Sequence, residues 1–342
     1  MQSVNRQLPS QIVAREFGEV NVRPRGNLLE VTFTISMEPQ GEAAEGWQTG
    51  VALDASASMY ESFGRCLVGK VPDDVMRDYE RKGWIERKVQ DGQRYLFWKT
   101  EGSDDARKRG FIRYSENIVQ PAAREFISYL AGNLDADGGT TVLYWACGDG
   151  GGFEVVGDFT AEQCATLELS GPRGVGFGQG TRLLPAVEYF VNRFADARRG
   201  IYLFLTDGRL DDLDALKRYS TRLAQAIEAG KRNFVKFVLI GVGNEIDESQ
   251  MEQLDDLDTG TGVDLWDHKI AREMRSIVEI FAEVVDENQI VAPSARLYDA
   301  RGQLVKSFTD GLPTKVTFTL PAESAYFELE VGDERIRQIL SA

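Results

Sequence analysis

Three apolar segments in the middle of the chain alternate with segments of helical spacing. The apolar segments are TGVALD, GIYLFLTDG and NFVKFVLIGVG, and each is too short to span a membrane. The segments between them, including NIVQPAAREFISYLAG and DDLDALKRYSTRLAQAIEAG, place apolar residues three and four positions apart. Buried strands that alternate with helices are typical of a mostly parallel sheet covered on both faces. The sequence therefore predicts an α/β fold with a doubly wound, mostly parallel sheet.

Further segments extend this pattern. The runs TVLYWACG and FEVVGDF are joined by the turn sequence DGGG, which favours an antiparallel hairpin. The segment RLLPAVEYFVNRFADA indicates a helix, with Pro185 tolerated in its first turn. After the third apolar strand we expect a helix in DESQMEQLDDL, a short strand in GVDLWD and a long helix in AREMRSIVEIFAEVVDE.

The two ends of the chain have strand-like patterns instead. The N-terminal part contains GEVNVRPRGNLLEVTFTISM, and the C-terminal part contains SARLYDARGQLVKSF, TKVTFTL and AYFELEV. Neither end has enough strands to bury a stable face alone. We therefore predict a discontinuous antiparallel β-sandwich from residues 11–46 plus 288–342, docked against an α/β domain of residues 47–60 plus 115–287.

Residues 61–114 interrupt the α/β domain and are expected to form a helix-plus-hairpin insertion. A helix is predicted from residue 73 to about residue 82, followed by a hairpin that turns at Asp91 and Gly92. The next run, SDDARKRG, is expected to be an exposed loop. The insertion has 13 Lys and Arg residues and 10 Asp and Glu residues, a modest surplus that suits docking on an acidic body. Its aromatic residues favour a small core over a binding surface: Trp84, Tyr95, Phe97 and Trp98.

Composition excludes several classes of function. The formal net charge of -15 disfavours nucleic acid and anionic membranes as partners. The first residues lack the apolar core of a secretory signal, and the three cysteines are unpatterned, which favours reduced thiols and a cytoplasmic location. The chain has a single histidine, His268, which disfavours histidine-triad catalysis and most zinc sites. We expect His268 to have a capping or surface role.

Oxygen-bearing side chains follow two of the buried strands. The sequence DASASMY places Asp54, Ser56 and Ser58 at alternate positions after the first strand, and Asp207 follows another strand in FLTDG. Thr181 lies in the glycine-rich segment GQGTRLLPAV, at the start of a helix. The carboxyl ends of parallel strands meet at one edge of a sheet, where ligands bind. Carboxylates and hydroxyls select Mg²⁺, Mn²⁺ or, less readily, Ca²⁺.

These three segments resemble the metal-ion-dependent adhesion site of von Willebrand factor A (vWA) domains. The family motif combines Asp-x-Ser-x-Ser, a distant Thr and a distant Asp at a strand end, and all three parts occur here in the family order. The resemblance covers residues 47–60 and 115–287. It implies that Ser56, Ser58 and Thr181 coordinate a divalent cation directly, and that Asp54 and Asp207 act mainly through water. A partner's Asp or Glu would occupy the open position, and the protein would not be an enzyme.

A narrower resemblance concerns YSENIVQPAAREFISYLAGNLDADGG, which is similar to bacterial intracellular vWA domains of the tellurite-resistance and stress-response type. That likeness implies a cytosolic stress or assembly complex. Its partners would include an AAA+ ATPase, a kinase or phosphatase, or a tellurite-resistance protein. The insertion at 61–114 departs from the family pattern, in which the helix follows the Asp-x-Ser-x-Ser motif almost at once.

Alternatives to an open interaction site remain. Asp54 could be the nucleophile of a metal-assisted phosphatase or phosphotransferase. The insertion could gate the site by presenting an acidic residue of its own to the metal, with Glu61, Asp104 and Asp105 as candidates. The run GPRGVGFGQG lacks the spacing of a nucleotide-binding loop and is expected to position Thr181. A last acidic cluster is expected to be a solvated face: Asp255, Asp256 and Asp258.

Overall fold

The structure is a computed structural model that describes residues 6–9, 12–35, 46–90, 93–207, 209–243, 246–274 and 290–340. The predicted long helix at 271–287 lies largely outside these residues; its first three residues form a 3₁₀ turn, Ala271–Glu273. The strands are β1 (Arg6–Gln7), β2 (Phe17–Arg25), β3 (Leu28–Ile35), β4 (Trp47–Asp54), β5 (Leu67–Gly69), β6 (Ile85–Gln90), β7 (Gln93–Trp98), β8 (Ile112–Tyr114), β9 (Thr140–Cys147), β10 (Gly152–Phe159), β11 (Arg199–Thr206), β12 (Phe234–Gly241), β13 (Trp266–Ile270), β14 (Ile290–Ala292), β15 (Ala295–Asp299), β16 (Leu304–Phe308), β17 (Leu312–Pro313), β18 (Lys315–Pro321), β19 (Tyr326–Val331) and β20 (Glu334–Ile339). The helices are α1 (Asp73–Arg81), α2 (Thr100–Lys108), α3 (Val119–Asn133), α4 (Ala161–Cys164), α5 (Leu184–Arg193), α6 (Leu213–Glu228) and α7 (Glu248–Asp255).

A six-stranded sheet forms the centre of the molecule, with the strand order β10-β9-β4-β11-β12-β13. Neighbours are parallel from β9 through β13, and the edge strand β10 is antiparallel to β9. The prediction of a mixed α/β fold is confirmed. The strand β4 ends at Asp54, and β11 ends one residue before Asp207. These two strands are direct neighbours, with Leu53 opposite Leu205.

Helices cover both faces of this sheet, because alternate residues of each strand point to opposite sides. In β4, Val51 and Leu53 join a core that contains residues of α3, whereas Ala52 joins a second core with residues of α5, α6 and α7. The only charged residue of β4 is Asp54, its last residue, so this carboxylate lies where the strand ends.

Strands from the two ends of the chain pair with each other. The strand β18 is antiparallel to β3, which makes the sheet β1-β2-β3-β18, and a second sheet has the order β16-β15-β19-β20. Both sheets contribute to one apolar core. Its centre is a group of contacting aromatic rings with centroid separations of 4.7–6.0 Å: Phe17, Phe33, Phe318 and Phe327.

Charged side chains lie at the edge strand β13. Lys269 forms an ion pair with Glu19 of β2, which connects the central sheet to the sheet β1-β2-β3-β18. His268 is 7% exposed, and its Nδ1 lies 2.6 Å from Asp255 Oδ2. Burial opposes protonation of His268, but Asp255 outweighs it and raises the pKa of this imidazole. The predicted capping or surface role is wrong, because β13 begins four residues later than the predicted strand and includes His268. Asp256 and Asp258 are exposed, as predicted.

The insertion contains more helix than predicted. The helix α1 and the hairpin β6–β7 are confirmed, but SDDARKRG is not a loop, because most of it belongs to α2. That helix buries Ala106, and its pairs Arg107–Asp104 and Arg109–Asp105 lie at helical spacing. The two tryptophans Trp84 and Trp98 pack against Tyr79 in a small core. Two other aromatic residues predicted for this core are exposed by 43% and 44%: Tyr95 and Phe97.

Two further expectations from the sequence concern disulfides and membrane-spanning helices. The three cysteines form no disulfide: Cys66, Cys147 and Cys164. Among the described residues, no helix is both long enough and apolar enough to cross a membrane.

Candidate metal centre

The site begins where two neighbouring parallel strands end. Because Leu53 of β4 lies opposite Leu205 of β11, the next residues of the two strands, Asp54 and Thr206, come together. The Thr206 hydroxyl donates a hydrogen bond to Asp54 Oδ2 at 2.6 Å. The strand register alone thus fixes one oxygen of the Asp54 carboxylate.

Asp54 is a fully buried carboxylate. Its second oxygen, Oδ1, accepts a hydrogen bond of 2.7 Å from the backbone N–H of Ser56, which turns the chain sharply after β4. Burial raises the pKa of Asp54 to about 6, although hydrogen bonds from Thr206 and Ser56 oppose this and the nearby Asp207 adds to it. A divalent cation would stabilise a buried carboxylate that lies beside a second carboxylate.

Hydrogen bonds link three of the other predicted ligands to Asp54. The hydroxyls of Ser56 and Ser58 lie 3.0 Å apart, and Ser58 Oγ donates to Asp207 Oδ1 at 2.9 Å. Ser56 is buried, whereas Ser58 is exposed. Four of the five predicted residues therefore form one continuous group that runs from the interior of the sheet to its surface.

Thr181 approaches this group through the glycine-rich loop before α5. In that loop the Gly178 N–H donates to the Ala55 carbonyl, and the Gly178 carbonyl accepts from the Ala57 N–H, both at 2.8 Å. Three residues on, Thr181 is largely buried, and its backbone N–H donates to Asp211 Oδ2 at 2.8 Å. Among the described residues, no hydrogen bond joins the Thr181 side chain to the other four. The structure thus bonds this loop to the chain on both sides of Ser56, whereas the Thr181 hydroxyl forms no hydrogen bond with the described members of the group.

Gly178 allows this close approach. A Cβ atom at this position would lie 1.9 Å from the Ala146 carbonyl oxygen, so a side chain would push the loop away from the end of β4. The adjacent Phe177 fixes the loop from the other side, because its ring contacts those of Tyr60 and Phe63 with centroid separations of 5.0 and 5.5 Å.

An internal carboxylate holds the first part of the same loop. Glu154 accepts hydrogen bonds of 2.7–3.2 Å from three successive backbone N–H groups, those of Arg173, Gly174 and Val175. Burial opposes ionisation of Glu154, but these three donors outweigh it and lower the pKa of the carboxyl. Successive N–H groups of this kind form an anion-binding concavity. Here the anion is part of the chain, and it holds residues 173–175 of the loop in place.

The acidic residues proposed to gate the site from the insertion have other contacts. Asp104 pairs with Arg107, and Asp105 accepts a hydrogen bond of 2.5 Å from the Tyr79 hydroxyl. Both carboxylates are therefore engaged within the insertion. Glu61 is exposed at the end of the 3₁₀ turn Ala57–Tyr60, and its backbone carbonyl accepts from Ser115 Oγ.

Sequence reasoning missed three residues that organise the site. Thr206 was visible in FLTDG, and its pairing with Asp54 follows once β4 and β11 are known to be neighbours. Gly178 was one of several glycines with nothing in the sequence to distinguish it. The Thr181 N–H donates to Asp211 Oδ2, and the Asp211 N–H donates to the Thr181 carbonyl. These two hydrogen bonds join residues 30 positions apart, so they could not be predicted from the local sequence.

The donor set fits a hard divalent cation. Two carboxylates and two hydroxyls converge, all of them oxygen donors, which suits Mg²⁺ or Mn²⁺ better than a softer metal. No group of three or more His, Cys, Asp or Glu side chains suited to a metal occurs in the described part of the chain, so hydroxyls and water would complete the coordination. A cleft of about 570 Å³ lies elsewhere, between β1–β2 and β13, and the described residues that line it include none of the five predicted ligands.

No protein-family model matches the chain, and no curated protein matches it either.

Proposed function

We propose that this protein is a metal-dependent protein-interaction module of the vWA type, which binds an acidic residue of a partner through a divalent cation. The strand order supports the doubly wound vWA topology. Numbered along the sheet's own chain order, β10-β9-β4-β11-β12-β13 is 3-2-1-4-5-6, with strand 3 antiparallel. In such sheets ligands bind where the order reverses, which is between β4 and β11. Asp54 and Asp207 lie at the carboxyl ends of these two strands.

The observation that carries this proposal is the continuous group from Asp54 through Ser56 and Ser58 to Asp207. A protein does not gain stability from placing two carboxylates together at the end of a buried sheet, because their charges repel. A cation between them would remove that repulsion. With few direct carboxylate contacts, the cation would keep enough positive charge to attract one further anionic ligand, supplied by the partner.

The burial of Asp54 favours this proposal over the phosphatase alternative. A nucleophilic carboxylate must reach the phosphorus atom with a free oxygen. Asp54 is fully buried, and both of its oxygens accept hydrogen bonds from its own chain. The exposed member of the group is Ser58, which lies where a partner's carboxylate would approach. The proposal includes the cytosolic partners that the vWA resemblance implies, namely an AAA+ ATPase, a kinase or phosphatase, or a tellurite-resistance protein.

Isothermal titration calorimetry with Mg²⁺ and Mn²⁺ tests the proposal. We expect one site in the chelator-treated protein, lost in Ser58→Ala and retained in Ser103→Ala, which removes a half-buried serine of α2 outside the site. An absence of divalent-cation binding by the wild-type protein would refute the proposal.

A further inference from the structure

An aromatic pair lies beside the candidate metal centre. Tyr60 follows Ser58 by two residues in the same 3₁₀ turn, and its side chain is 41% exposed. Its ring meets the ring of Phe177 edge to face, with centroids 5.0 Å apart. Since Phe177 directly precedes Gly178, which is bonded to Ala55 and Ala57, this pair forms part of the border of the site.

A guanidinium group lies against the same pair. Arg65 Nε donates to the Ser170 carbonyl at 2.6 Å, and its Cζ lies 5.9 Å from the centroid of the Phe177 ring. These contacts fix the orientation of the guanidinium, which is exposed. Among the described residues no carboxylate forms an ion pair with Arg65, although the chain as a whole has a net charge of -15. A held arginine of this kind can still donate its terminal N–H groups to a carboxylate.

We propose that Tyr60, Arg65 and Phe177 form a second recognition surface beside the metal centre. This surface selects a protein segment whose metal-bound acidic residue is flanked by a large apolar residue and a second acidic residue. The apolar residue packs on the Tyr60–Phe177 pair, and the second carboxylate binds Arg65. Two positive groups, the cation and the guanidinium, make an acidic segment the complementary occupant. The inference rests on the proposed function and extends it from one acidic residue to a short motif.

Short synthetic peptides test this surface by double-mutant cycles. The parent peptides place one tryptophan and one glutamate beside a central aspartate in a glycine background, in each possible order. Binding is measured by fluorescence polarisation in the presence of Mg²⁺. We expect replacement of tryptophan by glycine to weaken binding to the wild-type protein about fivefold. The same replacement has little effect on binding to Tyr60→Ala. Replacement of glutamate by glutamine weakens binding about threefold, and this effect is lost in Arg65→Gln.

Matched variants control for general effects of substitution. Tyr95→Ala removes a tyrosine of similar exposure from β7, and Arg113→Gln removes an exposed arginine from β8. Both are expected to bind the peptides as the wild-type protein does. Mg²⁺ affinity, measured by calorimetry, stays unchanged in Tyr60→Ala and Arg65→Gln, because the Phe63 ring and the Gly178 backbone hydrogen bonds still hold the loop. This result shows that the metal centre is intact.

The outcomes separate this inference from the proposed function. If the protein binds Mg²⁺ and the central aspartate is required, but the cycles show no coupling to Tyr60 or Arg65, the second surface does not exist and the proposed function stands. If Mg²⁺ binds but no peptide does, the recognition inference is wrong. If no divalent cation binds, both proposals fail.

Discussion

Asp54 combines two properties that rarely occur together in a folded protein without a ligand. Its carboxylate is fully buried, and its neighbours include a second carboxylate, that of Asp207. The two hydrogen bonds from Thr206 and Ser56 compensate only in part, since burial still raises the pKa of Asp54 to about 6. In the absence of a metal, this residue is therefore a source of instability at neutral pH.

The stability of the metal-free protein should reveal this cost. The folded-state pKa of Asp54 is raised from 3.8 to about 6, so its contribution to stability is present below pH 3.8 and is lost as the pH rises through about 6. The loss amounts to about 2–3 kcal/mol in the free energy of unfolding. Asp54→Asn cannot ionise and should not show it. Urea unfolding with a chelator at about pH 4 and about pH 7 measures the difference between the two proteins.

Mg²⁺ should reverse this effect at neutral pH. We expect it to stabilise the wild-type protein and to leave Asp54→Asn unchanged. Equal pH dependence in the two proteins, with no response to Mg²⁺ in either, would contradict the account of Asp54 given above.

Single residues also show what the sequence could predict. The candidate ligands Asp54, Ser56, Ser58 and Asp207 could be identified because their residue types and spacing suit metal coordination. His268 was misplaced because the run GVDLWD has apolar residues that fit a strand, whereas the observed strand buries charged residues of DHK through their ion pairs. Burial by pairing depends on residues distant in sequence, which a local pattern cannot show.

At the scale of elements, the glycine-rich loop positions the site. Glu154 holds its first part, Phe177 is packed between aromatic rings, and Gly178 is bonded to the chain on both sides of Ser56. Gly178→Ala should therefore displace the loop, because the added Cβ would lie 1.9 Å from the Ala146 carbonyl oxygen. We expect a loss of about 2 kcal/mol in the free energy of unfolding, together with weaker Mg²⁺ binding. Chemical denaturation and calorimetry measure the two effects.

Gly139→Ala is the matched control, because a Cβ at that position meets no atom within 4 Å. It should retain both stability and Mg²⁺ affinity. If Gly178→Ala behaved in the same way, the close approach of the loop would not be required for the site.

Elements also differed in how well local patterns predicted them. The helices α3 and α6 were predicted from the helical spacing of their apolar residues, and the strands β4, β11 and β12 from short continuous apolar runs. The helix α2 was missed because its sequence is almost entirely polar. It gains its stability from Gly102 and Ala106 packing in the insertion and from acidic and basic residues one turn apart. The sequence of a short polar helix closely resembles that of a loop, and only its packing distinguishes them.

At the scale of the whole molecule, the sandwich formed by the sheets β1-β2-β3-β18 and β16-β15-β19-β20 should be separable from the candidate metal centre. Phe33 of β3 is fully buried and contacts Phe17 of β2, Phe318 of β18 and Phe327 of β19. Phe33→Ala should reduce the free energy of unfolding by about 4 kcal/mol. Under native conditions its Mg²⁺ affinity should match that of the wild-type protein, since Phe33 belongs to a different core from the site.

The exposed Phe153 of β10 provides the control, and Phe153→Ala should cost about 1 kcal/mol or less. Denaturant unfolding and calorimetry on the same samples measure stability and affinity. A Phe33→Ala variant that folds but has lost Mg²⁺ binding would show that the sandwich and the site are coupled.

The pairing of β3 with β18 has a consequence for synthesis of the chain on the ribosome. In β3, Val31 lies opposite Phe318 and Phe33 lies opposite Val316, and all four belong to one apolar core. Val316 and Phe318 are translated only after the whole α/β part. At roughly 5–20 residues per second, this delay is about 15–60 s. During that time the nascent hairpin β2–β3 exposes an apolar face and an unpaired edge, both of which favour aggregation and chaperone binding.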